Sequence, residues 1–495
     1  MDARSSPPPP ADLLLISDLH LGSHLKPRMR GEAVHLASRI EEVFPRFCEH
    51  YARRGRWQLV INGDFIDFWN IELPGSAGLP PEALAVARLH AVFDAHPEVE
   101  AALQRMLRAG NGILFVTGNH DAELLYPEVR RAILSRLSTG DDADATHTDL
   151  TNLGALQPGR VRFVRWFLRE PGGAWIEHGH KFDPSCATPA ALSPTRGGAL
   201  VMTVAEVATR NFANLMPEID YDAPDKFTAR DYVRWAVARG WRFVVRVILL
   251  YLRTAGRILA LWAGPGRVDR AGRLAHAERL SKVAANAGLQ MSALAALEKM
   301  APPPAATTVA GLLSITALDH VVVVAALTTA GMLLGRAIAG APAPDGGLPA
   351  SAWLGALVGL GLAIAWLVRK HRRKRPRNVA RDMLEVAAGV GEVTGVPLVL
   401  MGHSHRGTLE RLGDVVYANS GSWLDGSHLV VRRDHDGRFT TVELRRWRNG
   451  GVVQEAQMAV PPWEPSAAAL PQLDAAAVTA GGGTTATGRR GDAGT

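Results

Sequence analysis

The chain has 495 residues, long enough for roughly two to four domains with cores of their own. Its two cysteines, Cys48 and Cys186, exclude a disulfide-stapled scaffold and fit a reducing compartment. A formal charge of +7 and a pI near 9.7 would suit a nucleic-acid binder, but seven basic residues are packed into RKHRRKRPR at 369–377, directly after a long apolar segment, so a membrane surface competes as the partner.

Residues 1–10 (MDARSSPPPP) read as a disordered, proline-rich lead without the apolar core of a signal peptide. Residues 11–190 read as an α/β unit: strand LLLIS, a helix from about Glu32 to Arg54, strand WQLVI, a helix from about Glu82 to Ala109, strand GILFVT, and a later strand AWIE. The same texture returns at 396–463 with VPLVLMG, VVYANSGSW, HLVVRR and FTTVELRRW. Residues 191–395 between them differ in composition and read as a helical insertion. Residues 464–495 thin to alanine, glycine and threonine and read as a disordered tail.

Within the insertion, a helix over 231–262 would bring Arg239, Arg242, Arg246, Arg253 and Arg257 within about 60° of one another beside a wide apolar face. That pattern suits a helix in the lipid headgroup layer, or one docked on the rest of the protein with its arginines in water. Two apolar segments follow, at about 309–341 and 352–368, joined by APAPDGGLPAS. Their length suggests a transmembrane hairpin with Arg336 snorkelling, and the alternative is a pair of helices buried in a soluble fold.

Each strand end in the α/β parts carries side chains suited to metal. Asp18-Leu19-His20 follows LLLIS, Gly63-Asp64-Phe65-Ile66-Asp67 follows WQLVI, and Gly118-Asn119-His120-Asp121 follows GILFVT. His178-Gly179-His180 follows AWIE, and Gly402-His403-Ser404-His405 follows VPLVLM. One such pair is weak evidence; five at successive strand ends are hard to explain as solvated loops. The mixed oxygen and nitrogen donors match Mn²⁺, Fe or Zn²⁺ better than Ca²⁺. The donors are too many for one ion with an open position. Two divalent ions sharing a bridging carboxylate would polarise a phosphate and activate a bridging water, which is phosphoester hydrolysis.

Taken in order, DLH, GDFID, GNHD, HGH and GHSH resemble the five-motif signature of the calcineurin-like metallophosphoesterases, over about 11–190 and 396–445. The resemblance implies an α/β four-layer sandwich of two mixed sheets flanked by helices. It implies two divalent metals, Mn favoured, one held by Asp18, His20, Asp64 and His405, the other by Asp64, Asn119, His178 and His403. It makes His120 the residue that donates to the phosphate or leaving oxygen, with Asp121 orienting its ring and His180 and Asp67 supporting the ligands. Ligands before 180 and after 400 must share one compartment, so membrane crossings between them must be even in number. Two spans fit, and the basic run at 369–377 places the catalytic part on the cytoplasmic side. GDFIDFW and GHSHRGTLERLGDVVYANSGSW are similar to the branch that contains the UDP-2,3-diacylglucosamine diphosphatases, which implies a phosphoester or lipid-linked diphosphate substrate at a membrane. A nuclease using the basic run, and a non-catalytic scaffold, are the other classes, and the motif regions offer no aromatic platform for nucleic acid.

Overall fold

The computed structural model describes residues 11–22, 32–53, 56–76, 78–137, 161–216, 234–315, 318–339, 350–373 and 379–463. The expected lead at 1–10, the tail at 464–495, nearly all of the APAPDGGLPAS loop and much of the basic run at 369–377 lie outside them.

The first part of the chain supplies β1 (Asp12–Ile16), α1 (Glu32–Ala52), β2 (Trp57–Asn62), α2 (Pro81–Ala95), α3 (Pro97–Arg108), β3 (Gly112–Val116), α4 (Pro127–Leu137), β4 (Val161–Val164), β5 (Phe167–Glu170) and β6 (Ala174–Glu177). The single helix expected from Glu82 to Ala109 is two, because Pro97 offers no N–H and disfavours helical backbone at His96. The next stretch holds a short pair, β7 (Thr195–Arg196) and β8 (Ala199–Leu200), and then α5 (Val204–Asn211), α6 (Trp241–Ala260), α7 (Arg270–Asn286), α8 (Met291–Met300), α9 (Val309–Ile315), α10 (Leu318–Ala339), α11 (Ala350–Arg373) and α12 (Val379–Thr394). The chain then returns to strands: β9 (Leu398–Met401), β10 (Gly407–Leu412), β11 (Val415–Ser420), β12 (Ser427–Arg433), β13 (Phe439–Arg448) and β14 (Gly451–Ala459).

Both ends of the chain build both large sheets. One has seven strands in the order β14-β13-β12-β1-β2-β3-β4, the other five in the order β10-β11-β9-β6-β5. β1, β2 and β3 run parallel, with Leu14 opposite Leu59 and Leu59 opposite Ile113, while β12 closes on β1 from the other side, antiparallel, Val430 opposite Leu14. In the second sheet β9 lies parallel to β6, with Leu400 opposite Ile176. Residues on each side of the midsection are therefore hydrogen-bonded neighbours.

Period-two alternation sorts the side chains into layers. Leu13 and Leu15 meet Leu168, Ile176 and Leu400 in the apolar layer between the sheets. Leu14, Ile16, Leu59 and Ile61 face the other way, onto α1 to α4 through Phe44, Phe47, Leu89 and Leu103. The outer face of the second sheet, with Trp175, Val399 and Tyr417, is covered by Val283, Leu294, Met383 and Val390. Those residues come from α7, α8 and α12, so part of the midsection completes the helical cover. The result is two mixed sheets packed face to face between helices.

The helix expected over 231–262 is shorter and broken. Gly240, at φ +92°, separates the turn carrying Arg239 from α6. Arg242, Arg246, Arg253 and Arg257 remain on α6, where the buried residues are Thr254, Ala255 and Ile258, while Trp241 is 73% exposed. Helices α10 and α11 pack through glycine: a Cβ at Gly331, Gly335, Gly355 or Gly359 would overlap the facing backbone at Gly355, Ser351, Gly331 and Leu327, respectively. Their outer surfaces are apolar, with Leu333, Leu334, Leu354, Leu357, Leu362 and Ile364 all more than half exposed. Among the described residues no helix is long and apolar enough to cross a membrane, so the expected pair of spans has no support from these helices.

Candidate metal centre

Parallel strands aim their carboxyl ends at one edge, the usual place for ligands in α/β sheets. Here β1, β2 and β3 of one sheet and β6 and β9 of the other end at the same edge. Hydrogen bonds tie the loops together within the first sheet, from Asp18 N–H to Gly63 O at 3.2 Å, His20 N–H to Asp64 O at 2.9 Å and Phe68 N–H to His120 O at 3.1 Å. Within the second sheet Gly402 N–H donates to His178 O at 3.0 Å, and the Asn62 amide joins the two sheets by donating to Glu177 O at 3.0 Å.

The backbone is forced at the ligand positions themselves. Asp18, His20, Asp64, His403 and His405 all have positive φ, between 49° and 64°, a region that side-chain-bearing residues enter at a cost of about 1–3 kcal/mol each. Outside glycine only Ala190 and Asn449 share it among the described residues. Strain gathered at five candidate ligands is what a functional site looks like, since selection for packing alone would relieve it.

Six of the seven side chains foreseen as ligands converge in two groups. Asp18, His20 and His405 form one, with His405 Nε2 3.1 Å and His20 Nε2 3.9 Å from Asp18 Oδ1, and the two imidazoles 3.4 Å apart. Asp64, His178 and His403 form the other, with His178 Nε2 3.2 Å from Asp64 Oδ2. Asn119 is buried beside them, its neighbour His120 donating its N–H to Asp64 Oδ1 at 2.8 Å.

The fit of this pocket to cations rests on four buried ligand atoms. Asp18 Oδ1, Asp64 Oδ2, Asn119 Oδ1 and His178 Nε2 are buried without a hydrogen-bond partner, a state that costs about 1–3 kcal/mol per group when nothing compensates. The His178 ring is fixed for ligation. Its Nδ1 lies 2.7 Å from Asn62 O, so a proton sits there and Nε2 is the ring atom turned to Asp64. Electrostatics ask for positive charge in the same place. Burial alone would lower His178, but the Asp64 carboxylate, and after it Asp18, lift it to about 9. Burial favours the neutral form of Asp18, yet the charge of the neighbouring His405 holds it down to about 2. Burial, with the nearby His120, pushes His20 down to about 3, so it presents a neutral ring. Carboxylates kept charged beside imidazole nitrogens form a donor set for divalent metal, and no thiolate is part of these two groups.

His120 sits at the rim, and its partner differs from the one the sequence suggested. Its Nδ1 is 2.8 Å from Asp67 Oδ1, and its ring lies against Trp69 with centroids 3.8 Å apart. Asp121, expected to orient that ring, instead accepts from Gly118 N–H at 2.7 Å and Phe65 N–H at 2.8 Å. It ties the loop after β3 to the loop after β2. Burial and the charge of Asp64 push Asp121 up to about 7. For His120, burial is outweighed by Asp67 and Asp64, so the imidazole is raised and the protonated form favoured. Asp67, expected to support the ligands, makes this contact with His120 and also stands with His20 and His120 as a further group of metal-suited side chains. His180 reaches the same region with its ring 5.5 Å from His178, and burial, with His178 and His403, holds it well below its usual range.

Two further side chains escaped sequence reasoning. Asp183 Oδ2 is 3.5 Å from His403 Nε2, and Cys186 stands with both. Neither follows a strand, which was the signal used for the others. Both cysteines are free and buried.

Glycine makes the close approach possible. A Cβ on Gly63 would overlap the His178 ring, and one on Gly118 would overlap Asp64. Gly63→Ala and Gly118→Ala are therefore expected to weaken metal binding at least about tenfold, the scale of displaced ligand support. Calorimetric Mn²⁺ titration of a folded variant checks this, and wild-type affinity in both would show that the close approach does not matter.

No family model matches the chain, and no curated protein does. Among solved structures, the chain is similar to a Vps29 double mutant from Entamoeba histolytica at 19% identity, with a TM-score of 0.13 over 15% of this chain and 46% of that one. The match thus spans less than half of that structure's length.

Proposed function

We propose that the chain is a calcineurin-like phosphoesterase that works with two divalent cations, Mn²⁺ foremost, and hydrolyses a phosphoester or diphosphate. One observation carries this reading: at a single edge of paired sheets, Asp18, His20 and His405 stand together, as do Asp64, His178 and His403, with Asp64 Oδ2 and His178 Nε2 buried 3.2 Å apart. Cations bound there would neutralise phosphoryl charge and supply an activated water. Asp64, with one oxygen receiving His120 N–H and the other turned to His178, is the carboxylate placed between the two ends of the site. His120, held through Nδ1 by Asp67, keeps Nε2 for the leaving oxygen, and the charges of Asp67 and Asp64 favour the protonated ring that can donate there. Trp69 packs on that ring and limits its rotation. The test is hydrolysis of bis(p-nitrophenyl) phosphate by the full chain, abolished by chelation and restored by Mn²⁺. A pure, folded chain that takes up Mn²⁺ and cleaves no phosphoester would favour the scaffold reading instead.

The same reading places the enzyme at a membrane, on a lipid-linked substrate. The support is physical. Exposed leucines sheathe α10 and α11 around an interface of bare glycines, the way helices associate in lipid, where close backbone contact replaces the hydrophobic drive. Arg242, Arg246, Arg253 and Arg257 stand exposed on α6 beside Trp241 and Leu249, a combination suited to anionic headgroups. An apolar surface of this extent is uncommon on a protein bathed in water. The chain is expected to float with vesicles containing anionic lipid and to resist carbonate extraction, with Leu354→Glu plus Leu357→Glu reducing both. A chain that stays in the soluble fraction with vesicles present would remove the membrane from this account.

A further inference from the structure

A cavity of about 170 Å³ opens beside the metal centre and shares Asn119, His180 and Trp69 with it. Its remaining wall is built from unlike parts of the chain: Arg88 on α2, Glu123 after β3, Lys181 directly after His180, and Glu206 and Arg210 on α5. The first residues of the midsection thus close a space that the α/β strands alone would leave open.

The charges in this wall are unusual for so enclosed a place. Lys181 is 9% exposed, and its Nζ has no hydrogen-bond partner, resting 3.4 Å from the centre of the Trp166 ring. Arg88 Nε is also buried without a partner. Glu206 is already engaged by Arg210, at 2.9 Å. The remaining acid subtracts little charge, because burial, with Glu206 nearby, pushes Glu123 up to about 8 and leaves it protonated at neutral pH. Lys181, pushed down by burial to about 8, keeps most of its charge there. Lys181, buried, and Arg88, half-buried with its Nε enclosed, stand next to a site that would hold a phosphoryl group. A buried cation without a partner is costly, and an anionic ligand group would remove that cost.

We propose that this cavity is a second anion site, receiving on Arg88 and Lys181 a phosphate or carboxylate that the substrate carries in addition to its scissile phosphoryl group. The proposal rests on the phosphoesterase reading and narrows it to substrates bearing two anionic groups, one at the metals and one in the cavity. Trp69, Tyr126 and Trp166 also line the space, leaving room for an organic portion between the anions.

The test uses the full chain at a constant free Mn²⁺ concentration. Methylphosphonate, phosphonoacetate and methylenediphosphonate are compared as inhibitors of bis(p-nitrophenyl) phosphate hydrolysis, and their binding is measured in parallel by calorimetry. The wild type is expected to favour at least one of the two-anion probes over methylphosphonate by about tenfold or more, the scale of one charge-assisted contact. The favoured probe distinguishes a phosphate from a carboxylate as the second group. In Arg88→Gln and Lys181→Met the ratio should fall toward one. A wild-type ratio near one overturns the proposal without any variant, and a ratio that persists in both folded variants overturns it by assigning the preference to chelation at the metals. Either of these results with hydrolysis intact leaves the phosphoesterase reading standing, whereas a chain that binds no Mn²⁺ and cleaves nothing removes both.

Discussion

Asp64→Ala is expected to lose metal and turnover together. Asp64 is wholly buried, faces His178 through one oxygen and receives the His120 N–H on the other. Removing it leaves both neighbours without their anion. The His178 lone pair would face empty space, and the loop after β3 would lose an anchor. Bound Mn²⁺, measured by mass spectrometry on the desalted protein, should fall from two equivalents to one or fewer. Hydrolysis of bis(p-nitrophenyl) phosphate should drop by more than about a thousandfold, the upper range for loss of a single electrostatic contribution at a reacting centre. Full metal content in this variant would remove Asp64 from the position between the ions.

His120→Ala separates chemistry from metal binding. The ring lies at the rim, bonded to Asp67 and packed on Trp69, and is not needed to close either ligand group. Metal content should stay at the wild-type level while turnover falls about 10²- to 10⁴-fold, the range for a positioned proton donor. Asp67→Asn should act in the same direction more weakly, about 10- to 100-fold, because the amide can still hold the ring but no longer favours its charge. Asp121→Asn should behave differently. It sets an amide against the Gly118 and Phe65 N–H groups, so the expected effect is a loss of about 1–3 kcal/mol in thermal or denaturant stability. Were Asp121→Asn to leave stability unchanged and cut turnover as deeply as Asp67→Asn, the pairing of His120 with Asp67 would be wrong.

The candidate ligand positions are legible because each closely follows a short apolar strand, and strand order then fixes which strand ends can meet. The choice between Asp67 and Asp121 is not. Asp121 is the next residue in the same loop and Asp67 lies one loop away, and the decision depends on which carboxylate the backbone N–H groups hold in place. Proline at 97 was visible in the sequence, yet the apolar periodicity on both sides of it reads continuously, so one helix was expected where two exist. Strands β4, β5, β10 and β14 were missed for a similar reason. β4 and β5 have only four residues each, and much of β10 and β14 faces outward without the apolar alternation that marks a half-buried strand. The covering role of α7, α8 and α12 could not be read from composition, since the outer face of a sheet asks only for apolar partners and says nothing of where in the chain they lie. Likewise the glycines of α10 and α11 recur at a helical spacing in the sequence, but their mutual contact is a property of the folded pair.

Anomalous diffraction from crystals of the full chain soaked in Mn²⁺ tests the central claim most directly. The account expects two peaks about 3.5–4 Å apart, one among Asp18, His20 and His405, the other among Asn119, His178 and His403, with Asp64 reaching both. A single peak elsewhere, or none within reach of Asp64 at saturating Mn²⁺, would contradict it.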